Sequence, residues 1–304
     1  MDQYSSARRA ATVSRTLAQQ AARALIALFL LICLAPEMTR ARSLQLRRLP
    51  QTSSSALTPL QREIEKQRQR LTSSDAEERR DAVMHLGQMK RPDSSRVAAP
   101  ALHDLAGIVR ATATRAVLSL PPDEAAALLI PLLQDADEFA RRESAYALGE
   151  TRSRRAVGPL VNSLSTDKLE SVRSSAAVAL GQIGDEAAVV PLTQTFTRRN
   201  KISSGFLRRK KQVPENEFVR RAAALSLGQI RSRAAVPALV NVLADERVEP
   251  DVRREAARSL GLIGDPAAII PLRAALTASD PYLSRIAYEA LRKISPAEAI
   301  KPAG

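Results

Sequence analysis

The chain has 304 residues, with 46 Lys and Arg against 32 Asp and Glu, for a formal net charge of +14. It has no Trp, 3% aromatic residues and one Cys. This excludes an aromatic-centred core, a disulfide framework and a thiolate metal site, and leaves Ala, Leu, Val and Ile to build any core.

Ala24 to Ala35 (ALIALFLLICLA) is an unbroken apolar run preceded by Arg8, Arg9, Arg15 and Arg23. It is shorter than the roughly 20 residues a bilayer span needs and suits the apolar core of a signal peptide. Thr39-Arg40-Ala41 offers a cleavage site before Arg42. Residues 1–41 are therefore expected to be a signal peptide, and the mature protein extracytoplasmic, periplasmic or secreted. The alternative is an uncleaved anchor at residues 24–35, because Arg40, Arg42, Arg47 and Arg48 follow the run closely and leave its orientation ambiguous. A cytosolic chain is the third reading. Cys33 lacks the small preceding residue of a lipoprotein signal and reads as apolar filler.

Residues 42–57 are rich in Ser, Thr and Arg and read as a linker. Thr58-Pro59-Leu60-Gln61 then reads as a capping box with proline at the first helical position. The helix it starts has Leu60, Ile64 and Leu71 on one face and charged residues on the other, which suits a capping helix over residues 58–73.

From residue 74 to 304 one phrase recurs. It reads ARRESAYALG from Ala140, VRSSAAVALG from Val172, VRRAAALSLG from Val219 and VRREAARSLG from Val252, with weaker copies near Glu78, Val109 and Leu283. The intervals between full copies are 32, 47 and 33 residues. A second phrase follows each full copy: GPLVNSL, VPLTQTF, VPALVNVL, IPLRAAL. Val219, Ala222, Ala223, Ser226, Leu227 and Ile230 lie on one face of a 3.6-residue period, and so do Val236, Leu239, Val240 and Leu243. Each unit thus predicts a helical hairpin. Its first helix is ended or loosened by Gly149, Gly181, Gly228 or Gly261, and its second restarts at Pro159, Pro191, Pro237 or Pro271. No alternation of β-branched residues predicts a strand, so the fold is expected to be all-α: a right-handed α-solenoid of about seven hairpins.

The phrase VRREAARSLGLIGDPAAIIPLRAAL resembles the HEAT-like repeats of the phycobilisome lyase type, over about residues 74–294. A more distant resemblance reaches deoxyhypusine hydroxylase, whose repeats carry His-Glu pairs that hold two irons. That resemblance implies ligand slots at Arg80-Asp81, Arg142-Glu143, Ser174-Ser175, Arg221-Ala222 and Arg254-Glu255. None carries His, and Arg cannot ligate a cation. His85 and His103, the only histidines, stand apart from those slots. No metal, no cofactor and no catalytic residue is therefore expected, and no phosphate loop or nucleophile elbow occurs.

Two basic features remain. Arg79, Arg110, Arg141, Arg173, Arg220 and Arg253 recur once per repeat and are expected to pair with acids of adjacent repeats, such as Asp137, Asp167 or Asp251. The next position carries Arg80, Arg142, Arg221 and Arg254. It coincides with the cavity-facing slot that the hydroxylase resemblance implies, so Arg142, Arg221 and Arg254 are candidates for partner contact. The interval of 47 marks an insert at 197–215, expected to emerge as a basic loop with a flexible tip at Ser203-Ser204-Gly205. Its candidate contacts are Arg198, Arg199, Lys201, Arg208, Arg209, Lys210 and Lys211.

The sequence thus points to a non-catalytic, exported, protein-binding scaffold or adaptor. Its expected partner is a protein with an acidic surface, with an anionic membrane surface as a further option. No small-molecule substrate is evident, and scarce aromatics disfavour nucleic acid. The rival readings are an enzyme or enzyme subunit in the bilin lyase or hydroxylase mould, and a nucleic-acid-binding protein of the same repeat class.

Overall fold

The computed structural model describes residues 57–204 and 209–299, with side chains of residues 201–211 left out. The expected signal peptide, nearly all of the expected linker, Gly205 of the expected loop tip, and Arg208 lie outside the described residues.

Thr58 caps the first helix, α1 (Pro59–Arg70). Its hydroxyl accepts from the Gln61 N–H at 3.2 Å, and Gln61 Oε1 accepts from the Thr58 N–H at 2.9 Å. The capping box is therefore complete. Of the expected apolar stripe Ile64 is buried, Leu71 half-buried and Leu60 exposed.

Six helical hairpins follow. Their first helices are α2 (Ala76–Gln88), α4 (Gly107–Ala116), α6 (Glu138–Thr151), α8 (Glu170–Ile183), α10 (Glu217–Ile230) and α12 (Pro250–Ile263). Their second helices are α3 (Pro92–Ala98), α5 (Pro122–Leu129), α7 (Val157–Thr166), α9 (Val189–Thr197), α11 (Val236–Ala244) and α13 (Ile269–Ala275). A seventh first helix, α14 (Pro281–Ile294), is followed by a 3-10 turn at Pro296–Glu298. The second helices of the last four hairpins begin one or two residues before the marking proline. A 3-10 turn capped by Ser153, Asp185, Ser232 or Asp265 leads into each. Leu148, Leu180, Leu227 and Leu260 of the first helices and Leu160, Leu192, Leu239 and Leu272 of the second are buried, forming one continuous core between the layers.

The glycines do not end the first helices. Each helix runs two residues past Gly149, Gly181, Gly228 or Gly261. The glycines sit where the next first helix crosses: a Cβ on Gly149 would lie 2.8 Å from the Ala179 Cα, and one on Gly261 2.8 Å from the Ala290 Cα. Glycine is required there for backbone approach rather than for chain reversal. The chain turns one residue beyond the helix, in left-handed geometry, at Gly184 and Gly264 and also at Arg152 and Arg231. Serines tighten the same contacts. Ser226 Oγ donates to the Ala177 carbonyl at 2.8 Å, and Ser259 Oγ to the Ala224 carbonyl at 2.8 Å.

This spacing gives the array its sides. Consecutive first helices touch along their lengths, whereas consecutive second helices barely meet. A stack more closely spaced on one side curves toward that side, so the first helices form the inner layer.

The insert departs from expectation. It is not a loop but an antiparallel hairpin, β1 (Arg199–Ser204) paired with β2 (Arg209–Pro214) in the register Arg199↔Pro214 to Ser204↔Arg209. The residues lack strand patterning, and an isolated two-stranded hairpin is marginal. Its root is held by the body of the protein, as described below. The rest of the described residues form an all-α solenoid.

Gly261→Ala should destabilise the array by about 1–3 kcal/mol, because the new methyl meets the Ala290 backbone and the helices must separate. Urea unfolding with an unchanged m-value would measure it.

Candidate protein-binding face

The arginine that recurs once per repeat is a structural clamp. Arg79 forks onto Asp104 with two contacts of 2.7 Å, and Arg110 onto Asp135 with two of 2.7 Å. Arg141 reaches Asp167 at 2.8 Å, Arg173 reaches Glu215 at 2.7 Å, and Arg220 pairs with Glu249. The remaining guanidinium nitrogen points the other way. Arg110 Nη1 donates to the carbonyls of Asp104 and Leu105, and Arg141 Nη1 to those of Asp135 and Ala136. Arg79, Arg110, Arg141 and Arg173 therefore tie the turn before their own helix to the turn before the next, whereas Arg220 holds Glu249 alone and leaves its Nε without a partner. The acid in turn accepts from the backbone two residues on, as Asp104 does from Ala106 at 2.8 Å.

The ladder slips at its far end. Arg253 donates to the Leu243 carbonyl at 3.0 Å, and Arg254 takes the acid instead, forking onto Asp280 at 2.7 and 3.0 Å. Of the partners expected, Asp167 serves the ladder. Asp137 instead caps α6, and Asp251 pairs with Arg254 at 2.7 Å.

These contacts set the ionisation of the acids. The hydrogen bond from Arg79 holds the Asp104 carboxyl below its ordinary range, and that from Arg254 does the same for Asp280. Burial alone would raise Asp135 and Glu215, but Arg110 and Arg173 with neighbouring N–H donors outweigh it and lower both.

Glu215 is also the keystone of the insert. It is buried, and it receives Arg173, Arg198 at 3.5 Å, the Asn200 side chain at 2.9 Å and the Asn216 N–H at 2.8 Å. Arg198, expected to face a partner, is committed here and to the carbonyls of Leu164 and Ser165. Arg199 is exposed. Lys201 lies on β1 opposite Gln212, and Arg209, Lys210 and Lys211 lie on β2 opposite Ser204, Ser203 and Ile202.

With the ladder arginines occupied, two open grooves lie on the side of the first helices. One, about 820 Å³, crosses α2, α4 and α6; the other, about 420 Å³, crosses α6, α8, α10 and α12. Arg142 lies in the first and Arg221 in the second. Arg254 lines neither groove, being engaged with Asp280 and Asp251. Arg142 stacks over the Phe139 ring at 4.5 Å and Arg221 over the Phe218 ring at 5.6 Å. Each also meets a carboxylate, Glu143 at 3.1 Å and Asp251 at 3.7 Å.

The aromatic partners went unread in the sequence. Phe139, Phe218 and Tyr282 are the second residues of α6, α10 and α14, as Ile108 is of α4. They are 47%, 59% and 67% exposed, and Ile108 is 41% exposed. A repeated offset two residues before the ladder position was the available signal.

The slots implied by the hydroxylase resemblance do not fit a pair of irons. Asp81 is exposed, and Glu143 is bonded to Arg142. Glu255 is buried with Oε2 at 2.6 Å from Arg258 and Oε1 without a partner. His85 Nδ1 faces the Asp81 carbonyl at 2.8 Å. Among the described residues no cluster of three or more His, Cys, Asp or Glu is placed to hold a metal ion.

A family model described as HEAT repeats matches residues 64–148, 127–202 and 212–292. The chain belongs to the HEAT-repeat family. Among solved structures, the Escherichia coli protein YibA is 18% identical over 77% of this HEAT-repeat chain and 81% of its own, with a TM-score of 0.54. Human deoxyhypusine hydroxylase in complex with glycerol is 22% identical, covering 77% of this chain and 84% of its own, at a TM-score of 0.39. The complex of CpcE and CpcF of phycocyanin lyase from Nostoc sp. PCC7120 is 24% identical, covering 82% and 92%, at 0.45. Both kinds of relative expected from the repeat phrase are thus among the neighbours of this HEAT-repeat scaffold. The chain matches no curated protein.

Glu215→Ala leaves Arg173 and Arg198 without their buried acid and should cost about 3–5 kcal/mol in chemical denaturation. The depressed carboxylates stabilise the fold above the ordinary carboxylate range near pH 4 and lose that contribution as pH falls through their lower folded values. The melting temperature should therefore hold between about pH 7 and 5 and fall steeply below about pH 4.

Proposed function

We propose that this HEAT-repeat chain is an exported, non-catalytic scaffold that holds an acidic-surfaced partner protein against its inner layer. The observation that carries this reading is the row of exposed apolar residues at one helical position: Ile108, Phe139, Phe218 and Tyr282. Packed helices stand about 8–10 Å apart, so Ile108 and Phe139 lie one repeat apart and Phe218 and Tyr282 follow at two-repeat intervals, with the polar Ser171 and Asp251 at the positions between. Arg142 and Arg221, one turn further along their helices, add positive charge beside the rings. Aromatic residues and Arg are the side chains that most often anchor protein interfaces. The apolar run at residues 24–35 supports export, and the missing His-Glu pairs support a role without chemistry of its own. Tethering of a partner would then rest on shape and charge, with the basic hairpin at 199–214 as a second contact.

The test combines cell fractionation, determination of the mature N-terminal residue, and in-cell cross-linking of the full chain. An extracytoplasmic form starting near Arg42 is expected. A variant carrying Phe139→Ala, Arg142→Glu, Phe218→Ala and Arg221→Glu should lose partner cross-links on the order of tenfold or more with its melting temperature unchanged. Cross-links retained at wild-type yield by that variant would refute the inner-face reading. A chain that stays cytosolic would refute the export part alone.

A further inference from the structure

The larger groove has a composition that selects its occupant. Its exposed apolar contacts are Met84, Ile108 and Phe139, one from each of α2, α4 and α6, with the half-buried Leu118 behind them. Around them stand Arg80, Lys90, Arg115 and Arg142, against Glu143 and Glu150. We propose that this groove docks a short acidic segment of a partner protein, one that also carries apolar side chains. The inference rests on the inner-face reading above and narrows it to one groove and one peptide chemistry.

Charge decides between the possible occupants. The chain's own leader has an apolar run, but Arg8, Arg9, Arg15 and Arg23 precede it and Arg40, Arg42, Arg47 and Arg48 follow it. A second copy of the chain carries +14. Both would bring cations to a cationic rim, whereas an acidic segment brings the opposite sign. The carboxylates already near the rim leave room for it. Arg80 meets Glu77 at 2.8 Å, Arg115 meets Glu150 at 3.6 Å and Arg142 meets Glu143 at 3.1 Å. The first two pairs are solvated, and pairs of that kind are weak and readily exchanged, whereas the Arg142 pair is part-buried.

Lys90 adds a further cation to the rim. It stands just beyond α2 with φ 50°, the left-handed geometry that Gly184 and Gly264 adopt after α8 and α12. A side chain in that geometry is held at a cost that glycine avoids. Arg152 and Arg231 share it, and all three gain from facing a helix C-terminus. Of the three, only Lys90 lines one of the two grooves. Lys90 therefore gives the groove's end a cation that glycine, at the same backbone geometry, would not.

The trade-off is testable because the two effects of one substitution oppose each other. Random dodecapeptides displayed on phage are selected against the purified full chain, and the enriched peptides are synthesised and titrated by fluorescence polarisation. Enrichment of Asp or Glu interspersed with Leu, Ile, Phe or Met is expected. Phe139→Ala should weaken those peptides by about tenfold. Lys90→Gly should weaken them by roughly threefold while raising the melting temperature. A library that yields basic or uncharged peptides, or none, overturns the proposal. So do acidic peptides bound equally by wild type, Phe139→Ala and Lys90→Gly. Acidic peptides lost instead with Phe218→Ala would overturn this groove and leave the broader inner-face reading standing, because the second groove would then be the site.

Discussion

At most steps of this array a fork of two nitrogens meets a fork of two oxygens, and the register of the hairpins depends on it. A single helical hairpin buries only part of its apolar stripe, so each must find its neighbour in one register. Alanine and leucine surfaces are smooth enough to slide, and the arginine clamp removes that freedom. Arg110 holds the carbonyls of Asp104 and Leu105 behind it and the carboxylate of Asp135 ahead. Guanidinium suits this task because its donors are fixed in a plane and it stays charged, so one side chain serves two turns at once. Where the connection between repeats changes length the clamp changes partner: Glu215 after the inserted hairpin, Glu249 after the longer turn before α12, and a one-residue slip to Arg254 and Asp280 at the end.

The insert shows how much the clamp tolerates. Some fifteen extra residues leave the stack between α9 and α10, yet α8 and α10 still touch closely, with Ser226 bonded to the Ala177 carbonyl. The carboxylate that closes the ladder at this step is also the anchor of the hairpin, since Arg198 and Asn200 converge on it. A stacking device and a protruding element therefore share one buried residue. That sharing orders a hairpin root whose own sequence offers little strand preference.

Glycine and serine at the crossing points draw the first helices together, and the resulting asymmetry between layers gives the array an inner side. The consequence for function is a division of labour among the arginines. Those at the ladder position are consumed by the fold. Two of those one residue later, Arg142 and Arg221, stand beside aromatic rings in open grooves, and there charge and apolar area are presented together. A binding surface made this way is extended and repetitive, suited to a partner segment laid across several repeats rather than to a small molecule enclosed by a pocket.

Much of this was legible in the residues. The recurring Val-Arg-x-x-Ala phrase and the proline that follows determined helices, hairpins, the all-α stack and the structural use of the ladder arginines, because periodicity and capping are local properties of sequence. The capping box at Thr58 was readable for the same reason. Three features were decided only by the tertiary structure. The glycines read as helix ends, since their real neighbours, Ala179 and Ala290, belong to the next helices in the stack. The insert read as a loop, since its strands depend on a buried acid gripped by Arg173 from forty-two residues earlier. Arg142, Arg198, Arg221 and Arg254 looked alike in the sequence. Only the packing separates Arg142 and Arg221, which line grooves on the side of the first helices, from Arg198 and Arg254, which are bonded across to other repeats, because what a charge meets depends on what lies across space from it, and sequence order does not record that distance.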